Sequence, residues 1–189
     1  MRLVSGRSDT VIIATGYNFA DTLSIGPWSY LTGSPIVLTQ RDGTLSESEV
    51  SAIHDAGYSQ YIIVGGTKAV SNEVYDQLSD LDRVMRLAGE DRYETSEKIA
   101  RFELSWGMEA AYPVVATGAN FPDALAGVAV CCVNNSVMVL VLNDSSAGIS
   151  VLEDKAADIV HGYILGGEVA VPSSLASVIA ARTDMAFAG

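Results

Sequence analysis

Soft metal ligands and nucleophiles are scarce: the 189 residues include two histidines and two cysteines. His54 and His161 do not stand at matching positions, and no H-x-x-H, C-x-x-C or Gly-x-Ser-x-Gly string occurs. A transition-metal centre or a Ser-His-Asp triad therefore has almost nothing to be built from. The cysteines, Cys131 and Cys132, are adjacent. Neighbouring Cα atoms lie about 3.8 Å apart, too close for an ordinary disulfide, so both read as small hydrophobes in the apolar stretch 128–133. Carboxylates are plentiful, yet no D-x-[DN]-x-[DN]-G calcium loop is present. Long hydrophobic runs are missing too. A run such as 137–142 is far short of the roughly 20 residues that span a bilayer as a helix. No secretory leader is legible after Met1, as expected of a cytosolic protein or of a segment of a longer chain.

Positive charge is the other deficit. Eleven Lys and Arg face 23 Asp and Glu, for a net charge of −12. From Phe102 onward only Lys155 and Arg182 are basic, and the five bases between Arg83 and Arg101 are interleaved with acids. No basic patch remains to neutralise phosphates, which argues against a nucleic-acid partner. An anionic ligand would need specific donors, not a broad field.

Apolar side chains, at 49%, suffice for a large core and exclude a disordered chain. The main organisational fact is a repeat. Ala14-Thr15-Gly16-Tyr17-Asn18-Phe19-Ala20-Asp21-Thr22-Leu23 returns 102 residues later as Ala116-Thr117-Gly118-Ala119-Asn120-Phe121-Pro122-Asp123-Ala124-Leu125, and Ile62-Ile63-Val64-Gly65-Gly66 returns 101 residues later as Tyr163-Ile164-Leu165-Gly166-Gly167.

Each copy reads as alternating strands and helices. In the first, short β-branched runs at 11–14, 36–38, 61–64 and 84–87 predict strands. Between them lie a helix at 20–31, one opened by the capping box Ser46-x-x-Glu49 and ended at Gly57, and one capped by Ser71 with Val74, Leu78 and Leu81 on its apolar face. After Gly89 a helix carries Ile99, Phe102 and Trp106. The second copy predicts strands from 114, at 138–142 and at 163–165, helices at 149–159 and 173–181, and a further strand at 185–189. Buried strands separated by helices imply an α/β fold of two lobes, each a mainly parallel sheet flanked by helices. The lobes are expected to divide near 83–89, into residues 1–85 and 86–189.

The Thr-Gly-x-Asn-Phe-x-Asp element falls where a parallel strand turns into a helix, an edge that favours ligands. Thr15, Gly16, Asn18 and Asp21, with Thr117, Gly118, Asn120 and Asp123, are therefore candidate ligand contacts, although turn and cap roles explain the same residues. Gly65-Gly66 and Gly166-Gly167 form neither G-x-G-x-x-G nor G-x-x-x-x-G-K-[ST], so no nucleotide cofactor is expected, and close backbone packing is their simpler role. Arg86-Leu87-Ala88-Gly89-Glu90-Asp91-Arg92-Tyr93-Glu94-Thr95 joins a strand end to a helix with Asp91 as its cap. Arg86 and Arg92 either hold a phosphate or carboxylate or pair with acids across the repeat interface. Lys68 reads as an exposed residue outside any site.

Arg86–Thr95 followed by Ala116–Leu125 resembles the type 2 cell-wall-binding repeat of Gram-positive bacteria, and the Ala14–Leu23 copy and both Gly-Gly strand ends match as well. The resemblance implies Rossmann-like or Toprim-like lobes, commonly three packed about a pseudo-threefold axis. It also implies secreted, surface-located proteins whose repeats anchor another domain through an anionic secondary wall polymer, without catalysis. A Pro-Ile-Leu-Leu string linked to anchoring corresponds to Pro35, Ile36, Val37 and Leu38. On this reading a further repeat, or self-association, is expected to complete the packing. The rival readings are a nucleotide- or small-ligand-binding α/β enzyme domain and a structural spacer of a surface layer.

Overall fold

The computed structural model describes residues 8–79 and 83–188; Leu81 and Gly189, which entered the predicted helix and strand above, lie outside them. The first half runs β1 (Thr10–Thr15), α1 (Phe19–Thr32), β2 (Ile36–Thr39), α2 (Glu47–Asp55), β3 (Gln60–Val64), α3 (Asn72–Ser79), β4 (Arg83–Leu87) and α4 (Arg92–Ser105). The second continues with β5 (Glu109–Thr117), α5 (Phe121–Asn134), β6 (Ser136–Val141), α6 (Gly148–Asp154), β7 (Gly162–Leu165), α7 (Ser173–Thr183) and β8 (Phe187–Ala188).

The strands form two separate four-stranded sheets in the orders β2-β1-β3-β4 and β6-β5-β7-β8. Every pairing is parallel, with Ile12 opposite both Ile36 and Ile62 in the first sheet and Val115 opposite Val139 and Ile164 in the second. Parallel strands need crossovers, and the helices supply them. The capping box at α2 forms as its sequence predicts: Glu49 N–H donates to Ser46 Oγ, and Ser46 N–H donates to Glu49 Oε2 at 2.7 Å.

Two elements differ from the sequence expectation. The helix predicted over 149–159 stops at Asp154 and is followed by a 3₁₀ turn, Ala156–Asp158. The break at Lys155 lets the backbone swing extended at Ile159, whose side chain packs on the core. β5 starts five residues before the predicted 114, because Glu109 N–H finds the Asn135 carbonyl at 2.8 Å and the β5–β6 register shifts between Glu109 and Val114.

The lobes are not independently packed. One apolar cluster takes in Ile12 and Ile62 of the first sheet, Val115 and Val139 of the second, and Ile99 and Phe102 of α4 between them. Trp28 of α1 meets Phe102 edge-on at 5.3 Å. Helix α4 thus follows the first sheet in sequence but lies against β6 and α6 of the second sheet and α1 of the first. Arg101 adds a polar tie, donating to Asp154 of α6 at 2.7 Å and pairing with Glu97 one turn back.

Candidate functional site at the carboxyl end of the first sheet

β1, β3 and β4 all end at one edge, and α1 and α4 begin there. Asn18 caps α1 by accepting from Ala20 N–H at 3.4 Å, and Asp91 caps α4 by accepting from Tyr93 and Glu94 N–H at 2.8 and 2.9 Å. Glu94 reaches back to Glu90 N–H at 2.9 Å, one residue short of the box position. Between the two helix starts opens a cleft of about 440 Å³. Asn18, Asp21, Thr67, Lys68, Glu90, Asp91, Arg92 and Thr95 supply its polar side chains, and Gly66, Ala69 and Gly89 complete the lining.

Asp21 is the buried member of this set at 5% exposure, and its Oδ1 has no hydrogen-bond partner. Burial pushes its carboxyl up to about 6, with the Arg92 guanidinium pulling the other way. Its place is fixed by Gly65, which has φ +100° and stands so close that a Cβ there would lie 2.6 Å from Asp21 Oδ2. The same packing recurs in the second lobe between Asp123 and Gly166, at φ +102° and 2.6 Å. The Gly-Gly strand end is thus the seat of the motif aspartate in both copies.

Both arginines donate to backbone carbonyls, and Arg92 in addition acts on Asp21 across the repeats. Arg86 donates to the carbonyls of Gly65, Val70 and Ser71 at 2.9, 2.9 and 3.2 Å, tying the β3–α3 loop to β4. Arg92 donates to the Gly118 carbonyl at 2.6 Å and lies 5.7 Å from the Phe19 ring centroid, so it joins the motif copies across the lobes. Phe19 and Phe121 meet beside it at 5.9 Å.

Of the remaining candidates, Thr15 and Thr117 are buried, and each hydroxyl accepts the N–H two residues on, Tyr17 at 3.2 Å and Ala119 at 3.1 Å. Gly16 packs on Leu38, while Gly118 is pressed against Tyr93 and Arg92. Asn120 precedes α5 without a side-chain cap bond. Pro35, Ile36, Val37 and Leu38 form edge strand β2 and its approach, outside the cleft lining. Structure therefore gathers Asn18, Asp21 and Arg92 and leaves the others apart. It adds Lys68, which sequence placed outside any site, and the Gly66–Ala69 and Gly89–Asp91 loops. Their signal was present in the glycines that end β3 and β4, but it needed the parallel topology to bring both loops to one edge.

Comparison with known proteins decides the relationship. The family described as cell wall binding domain 2 matches residues 2–75 and 86–176. The chain belongs to this cell wall binding family. It is 31% identical over 153 residues to the amidase enhancer of Bacillus subtilis, covering 80% of this chain and 20% of that protein. It is 29% identical over 135 residues to N-acetylmuramoyl-L-alanine amidase LytC of the same organism, covering 71% and 26%. Cwp6 of Clostridium difficile superposes with a TM-score of 0.78 at 25% identity, over 93% of this chain and 28% of that one. Cwp8 of the same organism has the same fold, with a TM-score of 0.78 over 98% and 32% at 24% identity. The chain thus spans a fifth to a third of the length of these relatives. Family and relatives indicate a location at the cell surface or wall. Among the described residues no helix is long and apolar enough to cross a membrane.

Proposed function

We propose that this module, its repeats divided at 85/86, holds a longer secreted protein non-covalently to the bacterial wall by binding an anionic secondary wall polymer, and that it does no chemistry itself. The observation that carries the reading is the cleft where α1 and α4 begin, in a chain of the cell wall binding family. Helix starts present partial positive charge to a ligand. Lys68 and Arg92 supply the local cations that a net charge of −12 withholds elsewhere. His54, His161, Cys131 and Cys132 all lie outside the cleft lining, which favours binding over catalysis by a cysteine or histidine nucleophile. That the relatives are several times longer fits a module that serves other domains.

The test is co-sedimentation of the protein with purified Gram-positive walls, before and after the anionic polymer is stripped. Pelleting with intact walls that is lost on stripping is expected. Failure to pellet with either preparation overturns the reading.

A further inference from the structure

The cleft sets a buried carboxylate on its floor and an exposed cation, Lys68, on a rim that also carries Glu90 and Asp91. Asp21 stands on the floor, more than nine-tenths buried, with an oxygen that no donor reaches. A buried acceptor left unpaired is costly, and native structures seldom keep one without a role. The Asp91 carboxylate nearby already accepts two N–H groups on its Oδ1. Lys68 lies on the exposed rim, and among the described residues it makes no ion pair. A phosphate or carboxylate lowered to the floor would face Asp21 with no room for like charges to coexist. A hydroxyl brought there would complete its hydrogen bonding once the carboxylate turns its solvent-shielded oxygen toward the cleft.

We propose that the cleft takes a sugar residue of the wall polymer through its hydroxyl groups, which donate to Asp21, while the polymer's acidic substituents stay on the rim at Lys68. This rests on the wall-polymer reading and assigns the part of the polymer that enters. A volume of about 440 Å³ lies within the range of small-ligand sites. The second lobe differs at the rim. At the positions of Thr67 and Lys68 it carries Glu168 and Val169, and Glu168 is occupied by Ser173, whose N–H donates at 2.9 Å. That lobe has the aspartate and its glycine seat but no cation on the loop.

Pelleting with intact walls is compared for the wild type, Asp21→Asn, Asp21→Ala and Lys68→Met, with melting curves confirming that each variant folds. Asp21→Asn is expected to weaken binding about fivefold, because a hydroxyl bond to a carboxylate is roughly twice as strong as one to a neutral amide, and Asp21→Ala by more. Lys68→Met, on the exposed rim where folding is not at stake, is expected to weaken binding less and to flatten its salt dependence. Tighter or unchanged binding by Asp21→Asn overturns the assignment while wall binding stands. A wild type that does not pellet overturns both. Repeating the series on stripped walls distinguishes polymer sugars, whose binding disappears, from the glycan backbone, whose binding persists.

Discussion

Thr15-Gly16 and Thr117-Gly118 make the same turn in the two lobes, each threonine hydroxyl accepting from the N–H two residues on. Their surroundings diverge. Gly16 is exposed and Gly118 is buried, and the following strands repeat the contrast. Leu38 of β2 is 48% exposed, whereas Met138, Val139 and Leu140 of β6 are fully buried. The cause is α4, which lies along β6 and offers Ser96 Oγ to Leu140 N–H at 3.0 Å. A repeat's turns are written in its own residues, but its burial is written in the helix that precedes it. Four sets of substitutions break or sharpen that comparison.

The largest effect is expected at Glu103, on the helix that makes the lobes unequal. It is fully buried, and burial, opposed only by the Trp28 backbone, holds its carboxyl well above the usual range. Cys131 and Cys132 of α5 are the titratable groups near enough to feel its charge. A carboxyl whose pKa is raised by folding favours the folded state below its unfolded value of about 4.3, and that advantage is lost as pH rises toward the folded value. Melting temperature should therefore fall from acid to alkaline pH, and Glu103→Gln should flatten the fall while matching the wild type at low pH. An unchanged slope in the variant would show that the packing of α4 does not depend on this proton.

Asp21 follows by the same logic on a smaller scale. The step from its ordinary 3.8 to about 6 corresponds to about 3 kcal/mol lost as pH rises through that window. Asp21→Asn should therefore raise stability at pH 7 by up to that amount, measured by urea unfolding. Asp123→Asn at the half-buried equivalent should change it by about 0.5 kcal/mol or less. A stabilising substitution that weakens binding would mark Asp21 as a residue kept for function at the expense of stability.

The fold was largely legible because the signals behind it are local: β-branched runs, capping residues and the repeated offset place the strands and most helices within a few residues. The site was half legible. Asn18 and Asp21 announce themselves by the repeat, but Lys68 enters only because parallel pairing sets the end of β3 beside that of β1. Arg86 and Arg92 both satisfy backbone carbonyls, whose positions no pattern of side chains encodes, while Arg92 keeps its charge beside Asp21. The β2–β6 contrast was likewise hidden, since the strings at 36–38 and 138–140 are similar and the difference lies in tertiary packing.

Third in size is the pair of turn glycines. A Cβ on Gly118 would stand 2.6 Å from Tyr93 Cε1 and 3.1 Å from Arg92 Cδ, in the packed junction between lobes. A Cβ on Gly16 would meet the half-exposed Leu38 side chain at 3.2 Å, which has room to yield. Gly118→Ala should cost about 2 kcal/mol, within the usual range for overpacking, and Gly16→Ala about 0.5 kcal/mol or less. Equal costs by chemical denaturation would mean that α4 does not distinguish the two turns.

The smallest effect separates the two helix caps. Asn18 accepts from Ala20 N–H, whereas Asn120, in the same motif position, makes no side-chain cap bond. Pro122 in the first turn of α5 removes one of the N–H groups that a cap would otherwise have to satisfy, and it takes the place of Ala20, the residue whose N–H Asn18 holds. Losing an N-cap asparagine costs about 1 kcal/mol when its bond is made. At 3.4 Å the bond is long, so Asn18→Ala should cost about half of that, and Asn120→Ala should leave the unfolding midpoint where it is. The double-substituted chain should match Asn18→Ala alone, because the sites share no hydrogen-bonding partner. A measurable cost at Asn120 would place a partner on its side chain and make the two motif copies more alike than their caps indicate.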